Sequence, residues 1–348
     1  MNINLENNCF NNAKSVKCEM DPSQLSPVHG HYGGLCDNSG NYIEESKTVR
    51  LNGMPVVYDS PNRLDNSPES LLAGCSLFAG PLFNHFGHFL LESMSRLWSI
   101  RMQEYDNIIY QAPNADGLGI NIFQRFMFEQ LGIIDKIKII AEPMRFERIF
   151  VPSPSLVIGS YARSEYSSIF EAIRNMHMRG RPRLETKIYL SRTLLDRGRT
   201  VGEELLQDAF LKDGYEIIHP ERMTPQQQVN LFSSATHIAG IQGSAFHNVV
   251  YCQPGTKTVM FVREEYSMID FINIDKCCNL DAVYIEDVME KFAEYEPLHA
   301  QGPYCLSISK VRRALSRYGL LNVAEGFDTA DQKCLNLAFA DEWSRMRM

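Results

Sequence analysis

The sequence predicts an α/β fold built on parallel sheets, and two observations carry that expectation. Between Lys187 and Val262, four short apolar runs alternate with three amphipathic segments of roughly 10 residues. The runs are KIYL (Lys187 to Leu190), EIIH (Glu216 to His219), HIAG (His237 to Gly240) and TVMFV (Thr258 to Val262). Connections of that length are too long for hairpin turns and suit crossover helices, so the strands should be parallel with their carboxyl ends on one edge. The second observation is that the first half repeats the alternation, less regularly.

Taken in order, the first 60 or so residues are turn-rich, with Asp37-Asn38-Ser39-Gly40 and Asn52-Gly53 between short β-type runs. Asn-Gly is a strong hairpin signal, so a small antiparallel addition is expected at the start. From Phe83 to Met102 the pattern is helical, with Leu90, Met94 and Leu97 on one stripe and His88, Glu92 and Ser95 on another. NIIY (Asn107 to Tyr110), KIKII (Lys136 to Ile140) and RIFV (Arg148 to Val151) read as strands, and Asn121 to Leu131 as a helix closed by Gly132. A helical segment from Glu165 to Met178 precedes the regular second half. There, Thr224-Pro225-Gln226-Gln227 is a capping box with proline at the first helical position, and Ser244 is expected as an N-cap. Beyond Val262 the signal weakens: Ala282 to Ile285 suits a strand, and Lys310 to Tyr318 and Asp328 to Arg347 suit helices.

A chain of 348 residues fits two domains of ordinary size. The expected division is an N-terminal domain over 1–180 with a β-rich start over 1–75, then a second domain over 181–300. C-terminal helices over 301–348 are expected to pack back on the first domain. Net charge of -8 argues against a nucleic-acid partner, because a phosphate backbone demands a basic footprint. The arginines cluster instead between Arg179 and Arg199, which suits a small anionic ligand. The first residues, MNINLENNCF, lack the basic and apolar regions of a secretory signal, and no apolar run approaches the ~20 residues of a membrane span. Nine cysteines without a CxxC pair read as reduced thiols, so a cytoplasmic location is expected.

Two constellations carry chemistry. A helix beginning Gly243-Ser244-Ala245 after a strand offers backbone N–H groups and a positive dipole end to an anion, and its glycine permits close approach. Arg192 directly follows another strand and Arg197 lies in the loop behind it; guanidinium groups grip phosphate oxygens in pairs. Neither a P-loop nor a G-x-G-x-x-G turn is present, which disfavours P-loop kinases and ordinary dinucleotide enzymes. The other constellation is His85, His88 and Glu92. His88 and Glu92 are four apart on a helical pattern, so a carboxylate can orient an imidazole as a general base. A surface His–Glu pair is the bland alternative, and a metal site lacks the H-E-x-x-H pattern.

The segment FNHFGHFLLESMSRLW, with Asn84, Gly87, His88, Glu92 and Arg96, resembles a characteristic stretch of glycosyltransferase family 61. The likeness continues through PMRFERIFVPSP (Pro143 to Pro154), the KIYLSR run and the stretch from Pro220 to Thr256, and covers about Gly33 to Val262 in the same order. Gln242 stands where many members have His, Gly202 precedes Glu203 where many have Asn-Glu, and Phe246-His247 replaces a small apolar pair. The resemblance implies a GT-B architecture, two Rossmann-like domains facing a cleft, the second binding a nucleotide-sugar and the first presenting the acceptor. It implies an inverting, metal-independent transferase with no cofactor, a UDP-linked donor being the leading expectation. The acceptor would be a glycan or lipid-linked glycan in capsule or lipopolysaccharide assembly, with room for peripheral contact with the inner membrane. His88 is then the expected base with Glu92 orienting it, the reverse assignment staying open. Ser191, Arg192, Arg197, Gln242, Gly243, Ser244, Ala245 and Asn248 would face the donor phosphates or sugar, His219 to Met223 the nucleobase, and Asn84, His85 and His247 the acceptor or sugar. A polysaccharide pyruvyltransferase and a non-catalytic glycan-assembly protein are the rival expectations.

Overall fold

The computed structural model describes residues 8–16, 19–20, 30–61, 70–112, 119–180, 184–264, 268–292, 302–320 and 331–346. The Arg181–Arg183 part of the arginine cluster and the expected helix limits Asp328 and Arg347 lie outside them. The chain forms two compact units, Met1–Ile173 and Arg174–Met348.

The first unit is organised by four parallel strands: β1 (Leu71–Pro81), β2 (Asn107–Gln111), β3 (Ile137–Ile140) and β4 (Arg145–Phe150), adjacent in the order β3-β2-β1-β4. Leu77, Phe78, Ile108, Ile109, Phe146 and Ile149 from these strands are buried, as expected of parallel strands covered on both faces. Short antiparallel strands, Cys9–Asn11 and Lys14–Ser15, pair with β4, and Leu35–Cys36 extends the sheet from Lys14–Ser15. The hairpin expected at Asn52-Gly53 joins Thr48–Arg50 to Met54–Tyr58, and both turn residues have positive φ, 58° and 75°. Arg50 pairs with Met54, so the loop is Leu51-Asn52-Gly53, and its last two residues take the left-handed conformation that Asn and Gly adopt most readily. Helix α1 (Ile122–Gln130) starts in a reciprocal Asn121–Gln124 capping box and, as its sequence foretells, is closed by Gly132 with φ 68°.

Two elements depart from expectation here. β1 is the longest strand of the unit, yet its LLAGCSLFAGP run lacks both period 2 and period 3.6, so no pattern announces it. The segment Phe83 to Met102 is not one regular helix: a short α-turn (Phe86–His88) passes into a π-turn (Phe89–Ser93), and a 3-10 turn follows at Leu97–Arg101. The Met94 N–H reaches back five residues to the Phe89 carbonyl at 3.1 Å, which is the bond of a π-bulge.

The second unit follows the periodic reading closely. Strands β5 (Lys187–Leu190), β6 (Glu216–Ile218), β7 (His237–Ile241), β8 (Lys257–Phe261) and β9 (Asp281–Ile285) form a parallel sheet in the order β6-β5-β7-β8-β9. Helix α2 (Ser164–Met178) precedes it; α3 (Glu203–Lys212) and α4 (Pro225–Ser234) make the first two crossovers. The third crossover is a 3-10 helix, Ser244–Tyr251, not the expected α-helix. Eight residues long, with the β-branched pair Val249-Val250 in its last turn, it packs Phe246, Val249, Val250 and Tyr251 into the interior. Ser244 is not its N-cap: extended Gly243 holds that position and no side chain caps the turn. Helix α5 (Met268–Cys277) lies beyond the reach of the periodic reading. The C-terminal helices α6 (Ile308–Arg317) and α7 (Gln332–Met346) pack within the second unit. Val311, Leu315 and Leu335 join Tyr189, Phe210 and Phe261 in the core of the second unit. No helix among the described residues is long and apolar enough to cross a membrane.

The Thr224–Gln227 capping box is present in both directions, with Pro225 in the first turn. Thr224→Ala removes the acceptor for the Gln227 N–H, so unfolding of the variant in urea should show a loss of about 1 kcal/mol. Unchanged stability would mean that water replaces this cap at no cost.

Candidate active site

β1 of the first unit leads through Phe83 and Asn84 to the α-turn and π-turn that carry His88 and Glu92. The irregular turn keeps these two side chains on one side: His88 Nδ1 lies 2.8 Å from Glu92 Oε2. Glu92 is buried and also receives Arg50, Nε to Oε1 at 2.9 Å and Nη2 to Oε2 at 2.7 Å. Arg50 ends the Thr48–Arg50 strand and is itself buried, so the carboxylate sits in a two-pronged guanidinium grip plus one imidazole bond. Burial pushes the Glu92 carboxyl up, but the bonds from His88 and Arg50 and their charges outweigh it and hold its pKa below the ordinary value. Two groups meet His88 Nδ1: Glu92 Oε2 at 2.8 Å, which can only accept, and Arg50 Nη2 at 3.2 Å, which can only donate. Arg50 Nη2 already donates to Glu92 Oε2 at 2.7 Å, so the shorter Glu92 contact is assigned the Nδ1 proton, which leaves Nε2 of the neutral ring with a lone pair. His88 is partly exposed, with 27% of its side chain accessible. These facts suit an imidazole base; Glu92, with both oxygens engaged, is poorly placed to act as one. Asn84 and His85 are exposed beside it. The Asn84 side-chain oxygen accepts from Gln124 at 3.3 Å, and the His85 ring centroid is 5.1 Å from that of His88. Arg96 is fully buried and donates to the carbonyls of Pro152 and Lys47, so it braces the fold.

In the second unit the carboxyl ends of β5, β7 and β8 adjoin one another. Ser191 and Arg192 follow β5, Gln242 and Gly243 follow β7, and Arg263 follows β8. Arg192 and Gly243 meet: Gly243 is extended, so its backbone would accept any residue, but a Cβ there would collide with Arg192 Nη1. Arg192 is nine-tenths buried; its Nε and Nη2 donate to the Gly198 carbonyl at 3.2 and 3.1 Å, and its N–H donates to Glu203 Oε1 at 2.8 Å. Burial and then the charge of Arg263 pull the Arg192 pKa down to about 10, which leaves it protonated at neutral pH. His219, half-buried at the end of β6, has Nδ1 3.6 Å from Glu221 Oε1, and the Met223 carbonyl accepts from Gln228 at 3.3 Å. Ser244 and Ala245 are partly exposed in the first turn after Gly243.

Other expected site residues fall elsewhere. Asn248 is fully buried and donates to Gln228 at 3.0 Å, and His247 is buried with its ring stacked on Phe271, centroids 4.8 Å apart. The 3-10 winding turns both into the packing, so neither is presented to a ligand. Gln242 is consumed by the backbone: Oε1 accepts the N–H groups of Arg263 and Glu264 at 2.8 and 2.7 Å, and Nε2 donates to the Glu264 carbonyl at 2.9 Å. The Ser191 hydroxyl is bonded to Thr193 and Gln207 at 2.8 and 2.9 Å. Arg197 is exposed. Arg50 and Arg263 are absent from the sequence-based set. Arg50 is 42 residues from its partner Glu92, beyond any local pattern. Arg263 had a positional signal, since it directly follows the TVMFV run as Arg192 nearly follows KIYL.

Glu203 is fully buried and its pKa is pushed up to about 7, first by burial, opposed by the Arg192 N–H. A carboxyl raised above its ordinary 4.5 contributes stability fully present below that value and lost as pH rises through about 7. Relative to Glu203→Gln, the unaltered protein should therefore lose up to about 3 kcal/mol in urea unfolding between pH 4.5 and pH 7.5. A difference between the two proteins that does not vary with pH would refute the assignment.

No curated protein matches the chain. The family model described as Glycosyltransferase 61 matches residues 86–259, which is half of the chain and runs from the turn bearing His88 to β8. The chain thus belongs to glycosyltransferase family 61.

Proposed function

We propose that the protein is an inverting glycosyltransferase of GT-B type, with the first unit serving the acceptor and the second the nucleotide-sugar donor. Transferase activity follows from the family; the single observation behind the mechanism is the His88–Glu92–Arg50 chain, which sets an imidazole lone pair opposite an anchored, ionised carboxylate. His88 Nε2 takes the proton of an acceptor hydroxyl, and that oxygen attacks the anomeric carbon of the donor sugar. The bond from that carbon to the diphosphate breaks with its electron pair on the departing oxygen, and the configuration inverts. Arg192 and the N–H groups of Gly243 to Ala245 would stabilise the charge that develops there. His219 to Met223 would lie along the nucleoside, with UDP the favoured carrier. Glycan or lipid-linked glycan acceptors of surface polysaccharide assembly complete this reading, with work at the cytoplasmic face of a membrane.

His88→Ala is expected to lower kcat by about 10²–10⁴-fold with donor affinity nearly unchanged, and Glu92→Gln to cost less, since it only orients the ring. Near-normal turnover of both variants, followed by release of nucleoside diphosphate from a panel of sugar nucleotides, would remove the pair from the chemistry. Release of phosphate from phosphoenolpyruvate instead would identify a pyruvyltransferase.

With guanidinium groups to balance the leaving diphosphate, turnover is expected to persist in excess EDTA. Loss of activity that magnesium or manganese restores would contradict this mechanism.

A further inference from the structure

We propose that Arg263 is a second diphosphate-gripping residue, and that the Gly198 carbonyl marks the position a donor phosphate oxygen takes. The proposal rests on the donor-site reading above and adds a residue outside the family match, which ends at residue 259. β7 lies between β5 and β8, with Leu190, Gly240 and Met260 in register across the three strands. Arg192 and Arg263 therefore leave the sheet on either side of the Gly243 turn.

Their guanidinium groups converge on one atom. Arg263 Nη1 donates to the Gly198 carbonyl at 2.8 Å, joining Nε and Nη2 of Arg192 at 3.2 and 3.1 Å. Three charged donors on one neutral carbonyl exceed its two lone pairs. The arrangement matches an oxygen with more charge and more lone pairs, as on a phosphate. The Arg263 charge acts unfavourably on Arg192, and Glu203, Glu221 and Glu264 oppose it; an anion seated between the two guanidinium groups lowers that repulsion further. Arg263 is also held in advance. Its N–H is fixed by Gln242, and its guanidinium lies over the Tyr304 ring, 4.5 Å from the centroid. Little rotamer freedom is left to lose when a ligand arrives. The Gly198 carbonyl and the donor then compete for the same pair of guanidinium groups, so binding must displace the loop over 193–199.

Calorimetric titration with inorganic pyrophosphate and with UDP tests this, alongside hydrogen exchange of the 193–199 loop. Arg192→Ala and Arg263→Ala should each weaken both ligands by about 10–100-fold, and pyrophosphate should alter exchange in the loop. Undiminished affinity in a folded Arg263→Ala protein, with Arg192→Ala weakened, overturns the role of Arg263 and leaves the donor site standing. No binding of either ligand to the unaltered protein overturns the donor site itself. If Arg263→Ala fails to fold, Arg263→Lys carries the test: it keeps the charge but loses the forked donors, and unchanged affinity would again exclude Arg263.

Discussion

Neighbouring strands of a parallel sheet run the same way, and the second unit is organised by that constraint. All five strands point one way, so every connecting segment that follows a strand starts on the same edge. The order β6-β5-β7-β8-β9 places the first strand inside the sheet, and chain connections leave β5 and β7 toward opposite sides. A crevice at such a reversal is where open α/β sheets take their ligands. Arg192 and Gly243 stand at those two strand ends, and the missing Cβ of Gly243 gives the guanidinium its room. The site is thus a consequence of topology before it is one of residue choice.

The two units handle buried charge in opposite ways. In the first, Glu92 is desolvated, but Arg50 and His88 satisfy both oxygens, so the cost of burial is repaid by geometry. Removing Arg50 would leave the buried carboxylate with His88 as its one described side-chain partner, which is more harmful than never having had the ion pair. In the second, Arg192 and Arg263 share a carbonyl, and burial and the Arg263 charge lower the Arg192 pKa, opposed by the charges of Glu203, Glu221 and Glu264. Compensated charge makes a rigid device for orienting a ring. Two guanidinium groups aimed at one oxygen make a device that favours an anion.

How much of this was legible depended on which interaction decided each element. The parallel strands of the second unit, the Thr224 cap, the Gly132 helix end and the Asn52-Gly53 hairpin are local events, and their residues announce them. The His88–Glu92 contact was readable from spacing, although the turn that makes it is a π-turn. β1 was hidden because a small-residue apolar run has no period. Asn248 and His247 looked available because polar residues in a helix normally face outward; tight 3-10 winding buries them. Arg50 could not be paired with Glu92 from sequence, since only the tertiary fold joins positions so far apart.

Gln242 has a consequence for how this family can vary. Its one amide oxygen receives two consecutive backbone N–H groups from residues 263 and 264, while its nitrogen returns a bond to the second of them. The end of β8 is thereby stapled to the end of β7 by a side chain. An imidazole offers at most one acceptor and cannot reproduce that double reception. Positions 242 and 263 should therefore drift together among relatives: where histidine replaces Gln242, the chain after β8 would follow another path and an arginine at 263 would lose its anchorage.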